Sequence, residues 1–442
     1  MWSPPDPYAI PSKNEIQKVD ADILRLEAEL LEARRRVATL ESDIFARRAW
    51  IAPIRRLPHE VLSLVFFELV IDDWKAPLRL QNVCRLWRNI LLDTPAAWSS
   101  ITIYDHEDAN PDLVAIFFKR SRNASMHLRL FRPFVPSILE QVMHSKERIT
   151  CLHTYLWAID TLMSGDINFS ELKMLSLFWD GVYEAKGHQF DMMHLFPNLR
   201  SLVLNGDQAV RVIASRANLP AIQDLNINCD DSSLLIPILK KCAGSVEKII
   251  LSCYSYQKSE YMEDEGIAFP MLQFLQIRNR WSPHVCTQPL FSGSTPALQC
   301  YITDGTSAVA SFDPGNIRYL QVLDIPNLSL YPHLHSLALR FFYEVKEIMK
   351  QLKQEPTTCP GLAFIICTRL DEEEEEDVRW EEQKAMLRDR AKITGKPIKL
   401  LGRKAEDDPE FRKHFLNSKI YTSLEDGFLT FTRLPAHSCR VF

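Results

Sequence analysis

The sequence predicts an α/β chain in three parts: a long amphipathic N-terminal helix, a small three-helix unit, and a body of repeated strand units stacked into a parallel sheet. Three observations predict it. Apolar residues from Ile16 to Ile44 recur at alternating steps of three and four. The stretch LPHEVLSLVFFEL (57–69) is apolar on almost every side of a helix. Beyond residue 120 an apolar-x-x-apolar-x-apolar unit returns at starts 172, 199, 222, 246 and 272.

Of 442 residues, 46% are hydrophobic, ample for one large or several small cores. A net charge of −5 with 25% charged residues gives a field that draws the chain to neither nucleic acid nor an anionic membrane. The basic clusters Arg34–Arg36, Arg47–Arg48 and Arg55–Arg56 read as solvated helix faces. Ten scattered cysteines with apolar neighbours and no Cys-x-x-Cys spacing read as reduced, buried thiols, without a disulfide framework or a metal site. The N-terminus has no signal-peptide pattern and no apolar run reaches membrane-spanning length. A cytoplasmic and/or nuclear location is expected, with the sequons at Asn123, Asn168 and Asn327 unused.

Residues 1–12 are Pro-rich and expected to be disordered. One helix is expected over 13–50. With Ile16 at an a position, a holds Ile16, Ile23, Leu30, Val37 and Ile44, and d holds Val19, Leu26, Ala33 and Leu40. This is the heptad pattern of a coiled coil, and β-branched a residues favour a parallel two-stranded pair. Flanking charges are mixed: Glu15–Asp20 and Asp22–Glu27 would repel, Glu29–Arg34 and Arg36–Glu41 attract, each weakly. Two partners stay open for this helix: a second copy of the chain through residues 16–44, or the chain's own body.

Pro53 ends the helix near Trp50, and a second unit is expected over 51–104. Pro58 suits a first helical position. At 100° per residue, one apolar arc collects Val61, Leu62, Val65, Phe66, Leu69 and Val70, and a smaller one Leu64, Phe67 and Ile71. Such a helix needs cover on two sides. An amphipathic helix from about Leu78 to Leu92, with Leu80, Val83, Cys84, Trp87, Ile90 and Leu91 on one face, could cover one arc, with Trp98 as a cap.

The segments PIRRLPHEVLSLVF, VCRLWR and DTPAAWSSI, in that order behind a heptad helix, resemble the F-box of a large fungal group of F-box proteins. The resemblance implies a three-helix module that docks on the small SCF adaptor protein, which connects to a cullin and a RING subunit. It places Leu57 and Pro58 at the adaptor interface. It divides Val61, Leu62, Val65 and Phe66 between core and interface, and has Val83, Cys84 and Trp87 complete the domain and part of its contact face. The link FELVIDDWKAPLRL is longer than in short F-boxes.

Over 105–370 the repeated unit appears as LKMLSL, LRSLVL, IQDLNI, VEKIIL, LQFLQI, LQVLDI, LHSLAL and LAFIIC, with weaker copies at MHLRLF, ITCLHTYL and LQCYIT. The period matches leucine-rich repeats, whose strands stack into a parallel sheet along a solenoid. The Asn usual after such strands is absent: Asp180, Asp207, Asp230, Tyr254 and Arg280 stand there. LHSLAL starts only 14 residues after LQVLDI, which demands a short turn. Outward positions would include Met174, Ser176, Phe178, Asp224, Asn226, Asn228, Gln276, Arg278 and Arg340. Aromatic and arginine side chains at strand ends (Trp179, Tyr254, Tyr256, Arg278, Trp281, Arg340) are the candidate contacts to a protein substrate.

The acidic run DEEEEED (371–377) opens a tail, 371–442, in which a charged helix over 378–394 and a strand FLTFTRL are expected. No zinc-hydrolase, nucleotide-loop or nucleophile-elbow motif occurs: HEVLS has Ser63 where a second histidine would stand. His153 and His188 stand isolated. No catalytic residue, cofactor or metal is assigned, and no enzymatic activity is expected of the chain. The resemblance points to a substrate-recognition subunit of an SCF-type ubiquitin ligase. The alternative is a coiled-coil and repeat scaffold without a ligase role.

Overall fold

A computed structural model describes residues 10–401 except 105–109, 132–135, 157, 160–167, 180–189, 256–265, 280–293, 304–313, 323–324, 340–341 and 368–378. Residues 1–9, the acidic run and FLTFTRL therefore lie outside the described residues. The chain is mixed α/β and divides into two compact units, Met1–Asp93 and Thr94–Phe442.

In the first unit a 39-residue helix, α1 (Lys13–Ile51), starts with a capping box. The Ser12 hydroxyl accepts from the Glu15 N–H at 3.4 Å, and the Glu15 carboxylate accepts from the Ser12 N–H at 2.8 Å. The Ser12 hydroxyl also donates to the Glu15 carboxylate at 2.7 Å, and this bond, with the one from the Ser12 N–H, holds the Glu15 carboxyl below its usual pKa. The helix stops where Ala52 turns extended ahead of Pro53. None of its residues is buried.

Three helices follow: α2 (His59–Asp72), α3 (Ala76–Leu80) and α4 (Arg85–Leu92), with α2 packed on α3 and α4. The single helix expected over 78–92 is thus broken. Cys84 is extended, at φ −161° and ψ 169°. Side chains replace the helical bonds there: Asn82 Nδ2 donates to the Leu78 carbonyl at 3.0 Å, and Arg88 Nε to the Gln81 carbonyl at 3.1 Å. The break turns Val83 to solvent, off the face where the helical pattern placed it.

In the second unit the strands are β1 (Ser100–Ile103), β2 (Met126–Leu130), β3 (Ile149–Tyr155), β4 (Met174–Phe178), β5 (Phe190–Asp191), β6 (Ser201–Asn205), β7 (Ala217–Asn218), β8 (Asp224–Asp231), β9 (Lys248–Ser255), β10 (Phe274–Asn279), β11 (Cys300–Thr303), β12 (Tyr319–Gln321), β13 (Ser336–Leu339), β14 (Phe364–Cys367) and β15 (Lys399–Leu401). Short β5 pairs with β7 alone; the other thirteen form one sheet in chain order. Every pairing in it is parallel.

One register row carries the core: Leu152, Leu175, Leu202, Leu225, Ile249, Leu275, Tyr301, Leu320, Leu337 and Ile365 are paired neighbour to neighbour and buried. Each such side chain contributes roughly 1.5–3 kcal/mol by leaving water. A repeated tight turn feeds the strands: the carbonyls of Phe169, Phe196, Phe269, Tyr331 and Cys359 accept from the N–H of Leu172, Leu199, Leu272, Leu334 and Leu362. Asp207, one of the residues standing for the usual Asn, accepts from the N–H groups of Asp230 and Asp231 at 2.6 and 3.3 Å, tying one turn to the next.

Two placements differ from expectation. Trp98 lies in the second unit, where its ring meets Phe117 edge-on at 5.1 Å and the Arg120 guanidinium stands 4.3 Å from its centroid. It sits two residues ahead of β1, so it belongs to the sheet's first turn. The sheet face opposite the leucine row, on which outward positions such as Gln276 and Arg278 are expected, is buried in its C-terminal half by Ile250, Phe274, Cys300, Ile302, Tyr319, Ala338, Phe364 and Ile366. The helix expected at 378–394 is observed as Arg379–Thr394.

Candidate functional site

Two surfaces stand out, one in each unit. In the first unit α2 buries the narrow stripe Leu62, Phe66 and Val70, four residues apart, and among its residues 59–70 no others are buried. Phe66 meets the half-buried Trp87 at 4.9 Å with the rings tilted by 57°. Leu57, Val61, Leu64, Val65, Phe67 and Leu69 are all exposed. Val61 is 40% exposed while Leu62 beside it is 0%. Val61, Val65 and Leu69 run one helical turn apart on α2; Pro58 and Val83 are also exposed, and Cys84 is half-buried. The nine residues assigned to adaptor binding therefore divide: Leu62 and Phe66 face the core, Trp87 and Cys84 are intermediate, and Leu57, Pro58, Val61, Val65 and Val83 lie on the surface. A set of large exposed apolar side chains on one element is the usual mark of a protein-binding surface.

In the second unit aromatic rings line the sheet's other face at the ends of its first strands. Tyr104, Phe131, Tyr155 and Phe178 occupy successive positions at the carboxyl ends of β1 to β4. Tyr104 stacks on Phe131 at 5.3 Å with 5° between planes. Phe131 meets Phe178 edge-on at 5.2 Å and Tyr155 at 6.2 Å. The row continues as Asn205, Asn228, Ser252 and Arg278. Three of these rings were not singled out from the sequence. The signal was an aromatic directly after the last inward-facing residue of each early unit: SITIY, HLRLF, LHTY, where that residue is the buried Thr154, and MLSLF.

Beside the rings lie His127 and Arg129 on β2, Cys151 and His153 on β3, and Ser176, expected to point outward, which is buried. The Cys151 Sγ is 3.2 Å from His153 Nε2. Burial pushes the Cys151 thiol up to about 11 and, with Arg129 and His127 adding repulsion, pulls the His153 imidazole down to about 4. Both groups are held neutral. That is the reverse of an activated nucleophile–base pair, whose thiol pKa is lowered. Among the described residues no group of three or more His, Cys, Asp or Glu is placed to hold a metal ion, and no helix is long and apolar enough to cross a membrane.

Of the substrate-contact candidates, Trp179 follows β4, 36% exposed, against Gly206. Gly206 has φ +95°, a backbone conformation that favours glycine, and a Cβ there would also crowd the Trp179 Cβ at 3.3 Å. Arg278 is half-buried on β10 and donates to Gln276 Oε1 at 3.1 Å. Four strand steps of about 4.8 Å each separate the Phe178 position from Arg278, so Trp179 and Arg278 are not brought together. Tyr254 lies in β9, with its side chain outside the description; Tyr256, Trp281 and Arg340 lie outside the described residues.

No family model matches the chain, and no curated protein matches it. A solved structure described as the complex of Rad7 and Elc1 in yeast aligns over 90% of this chain and 100% of its own, at 13% identity and a TM-score of 0.26, too loose a superposition to bear on fold or function.

Proposed function

We propose that this chain is a substrate-recognition subunit of an SCF-type ubiquitin ligase. In this reading the F-box is the segment 51–104, its three helices lying in the first unit, and the adaptor covers Leu57, Val61, Val65 and Leu69. The observation that carries it is the exposed apolar side of α2, borne by the residues that resemble the family's docking segment. Trp87 and Phe66 hold α2 from behind, so the strip is presented by a packed helix.

The second unit is read as a degenerate leucine-rich-repeat solenoid. Its parallel strands in chain order and the spacing of its leucine row support this. The aromatic row from Tyr104 to Phe178 is the surface offered to a protein substrate, since aromatic anchors dominate interface energetics. The chain performs no chemistry in this account. It holds substrate lysines near a ubiquitin-loaded enzyme carried by the cullin and RING subunit, raising their effective concentration.

The test is capture of purified SCF adaptor by the full-length chain. Wild type retains the adaptor, and Leu57→Asp with Val61→Asp loses it while the thermal midpoint is unchanged. A wild-type chain that retains no adaptor refutes the reading.

A further inference from the structure

We infer that α1 pairs with α1 of a second copy of this chain, parallel and in register, as a two-stranded coiled coil. The inference is independent of the ligase reading. A 39-residue helix is about 58 Å long, and helices in water draw most of their stability from packing an apolar face. Here none of its residues is buried by its own chain. The seam residues Ile16, Ile23, Leu26, Leu30, Val37, Leu40 and Ile44 are between 45% and 56% exposed.

The occupant follows from the pattern. A strict 3.5-residue repeat carried over four heptads keeps its seam facing only a partner that supercoils with it, and an identical helix meets that condition along the full length. Ile and Val dominate the a positions and Leu26 and Leu40 stand at d, the arrangement that selects two parallel strands. In that register Glu29 faces Arg34 of the partner helix, Arg36 faces Glu41, and Asp43 faces Arg48, against the repulsive pairs Glu15–Asp20 and Asp22–Glu27. In the antiparallel arrangement that sets Leu30 against Ala33, Asp22 would meet Asp43 and Asp20 would meet Glu41, while Glu29–Arg36 and Glu27–Arg34 attract, so the balance of charges is poorer. Leu24, Leu31 and Phe45 sit at b, outside a two-stranded seam. Parallel pairing brings both copies of α2 out at the same end, so each assembly offers two identical docking strips and binds any paired target with avidity.

Light scattering on the eluting full-length protein, at tens of micromolar, tests this. The expected mass is twice the chain mass of 51.1 kDa for wild type and a single chain for Leu26→Asp with Leu40→Asp. Both positions are exposed, so the sheet of the variant unfolds at the wild-type midpoint. Val19→Cys, at a d position near the N-terminus, cross-links to its own copy on oxidation only if the strands are parallel. A single-chain mass for wild type, a mass of three or more chains, an undisturbed dimer in the double variant, or no cross-link beyond the wild-type background each overturns the proposal. Adaptor capture is read separately and is expected to survive in the monomeric variant.

Discussion

Phe66 lies 4.9 Å from Trp87 inside the first unit, while Val65, one residue earlier on the same helix, faces outward. A single helical step thus separates a core contact from a surface contact, and substitutions at the two positions must behave differently.

Phe66→Ala is expected to cost about 3–5 kcal/mol in the first unit, the usual cost of emptying a buried aromatic site. Val61→Asp with Val65→Asp is expected to cost less than about 1 kcal/mol, as exposed substitutions do. Hydrogen exchange across α2 and α4 separates the two: protection collapses in the first variant and persists in the second.

Trp98 is packed by Phe117 and Arg120, both in the second unit. Trp98→Ala is expected to lower sheet stability by about 3–5 kcal/mol. Exchange in α2 and α4 should be unchanged; loss of protection there instead would place Trp98 in the three-helix core.

His153 is depressed to about 4 in the folded chain against about 6.5 when unfolded. Between those values the unfolded chain binds more protons, so stability falls as pH drops from about 6.5 towards 4 and is flat above it. The expected loss is on the order of 2 kcal/mol. His153→Gln should flatten part of this acid limb in thermal melts, the remainder belonging to His127, which shifts the same way.

Arg390 is buried and donates to the carbonyls of Pro356, Thr358 and Cys359 at 3.0–3.1 Å. Arg390→Met strands these acceptors and is expected to cost about 1–3 kcal/mol, visible as a lower midpoint in urea. Arg390→Lys should recover only part, since one ammonium cannot span three carbonyls in a fixed fork.

Asp207 accepts from two N–H groups of the next turn. Asp207→Asn keeps a carbonyl acceptor and should be nearly neutral, whereas Asp207→Ala should be destabilised by about 1–3 kcal/mol in denaturant melts.

The leucine row and the chain-order sheet were legible because one buried side chain per unit must recur at the unit's period. The broken helix at 82–84 was not, because Leu80, Cys84, Trp87 and Leu91 carry an unbroken helical spacing through it and only side-chain bonds from Asn82 and Arg88 reveal the turn. The burial of both sheet faces near the C-terminus was written as continuous apolar runs, CYI at 300–302 and FIIC at 364–367, where alternation would mark an open face. The aromatic row was equally present, but as an offset shared by four units that looks unremarkable in any one of them.

The central claim is that the outer strip of α2 is a docking surface. Calorimetric titration of purified SCF adaptor into the full-length chain tests it most directly. Saturable binding by wild type, abolished in Val61→Asp with Val65→Asp at an unchanged unfolding midpoint, is the result expected. Absence of heat and of complex with wild type, or binding that survives in the variant, would contradict it.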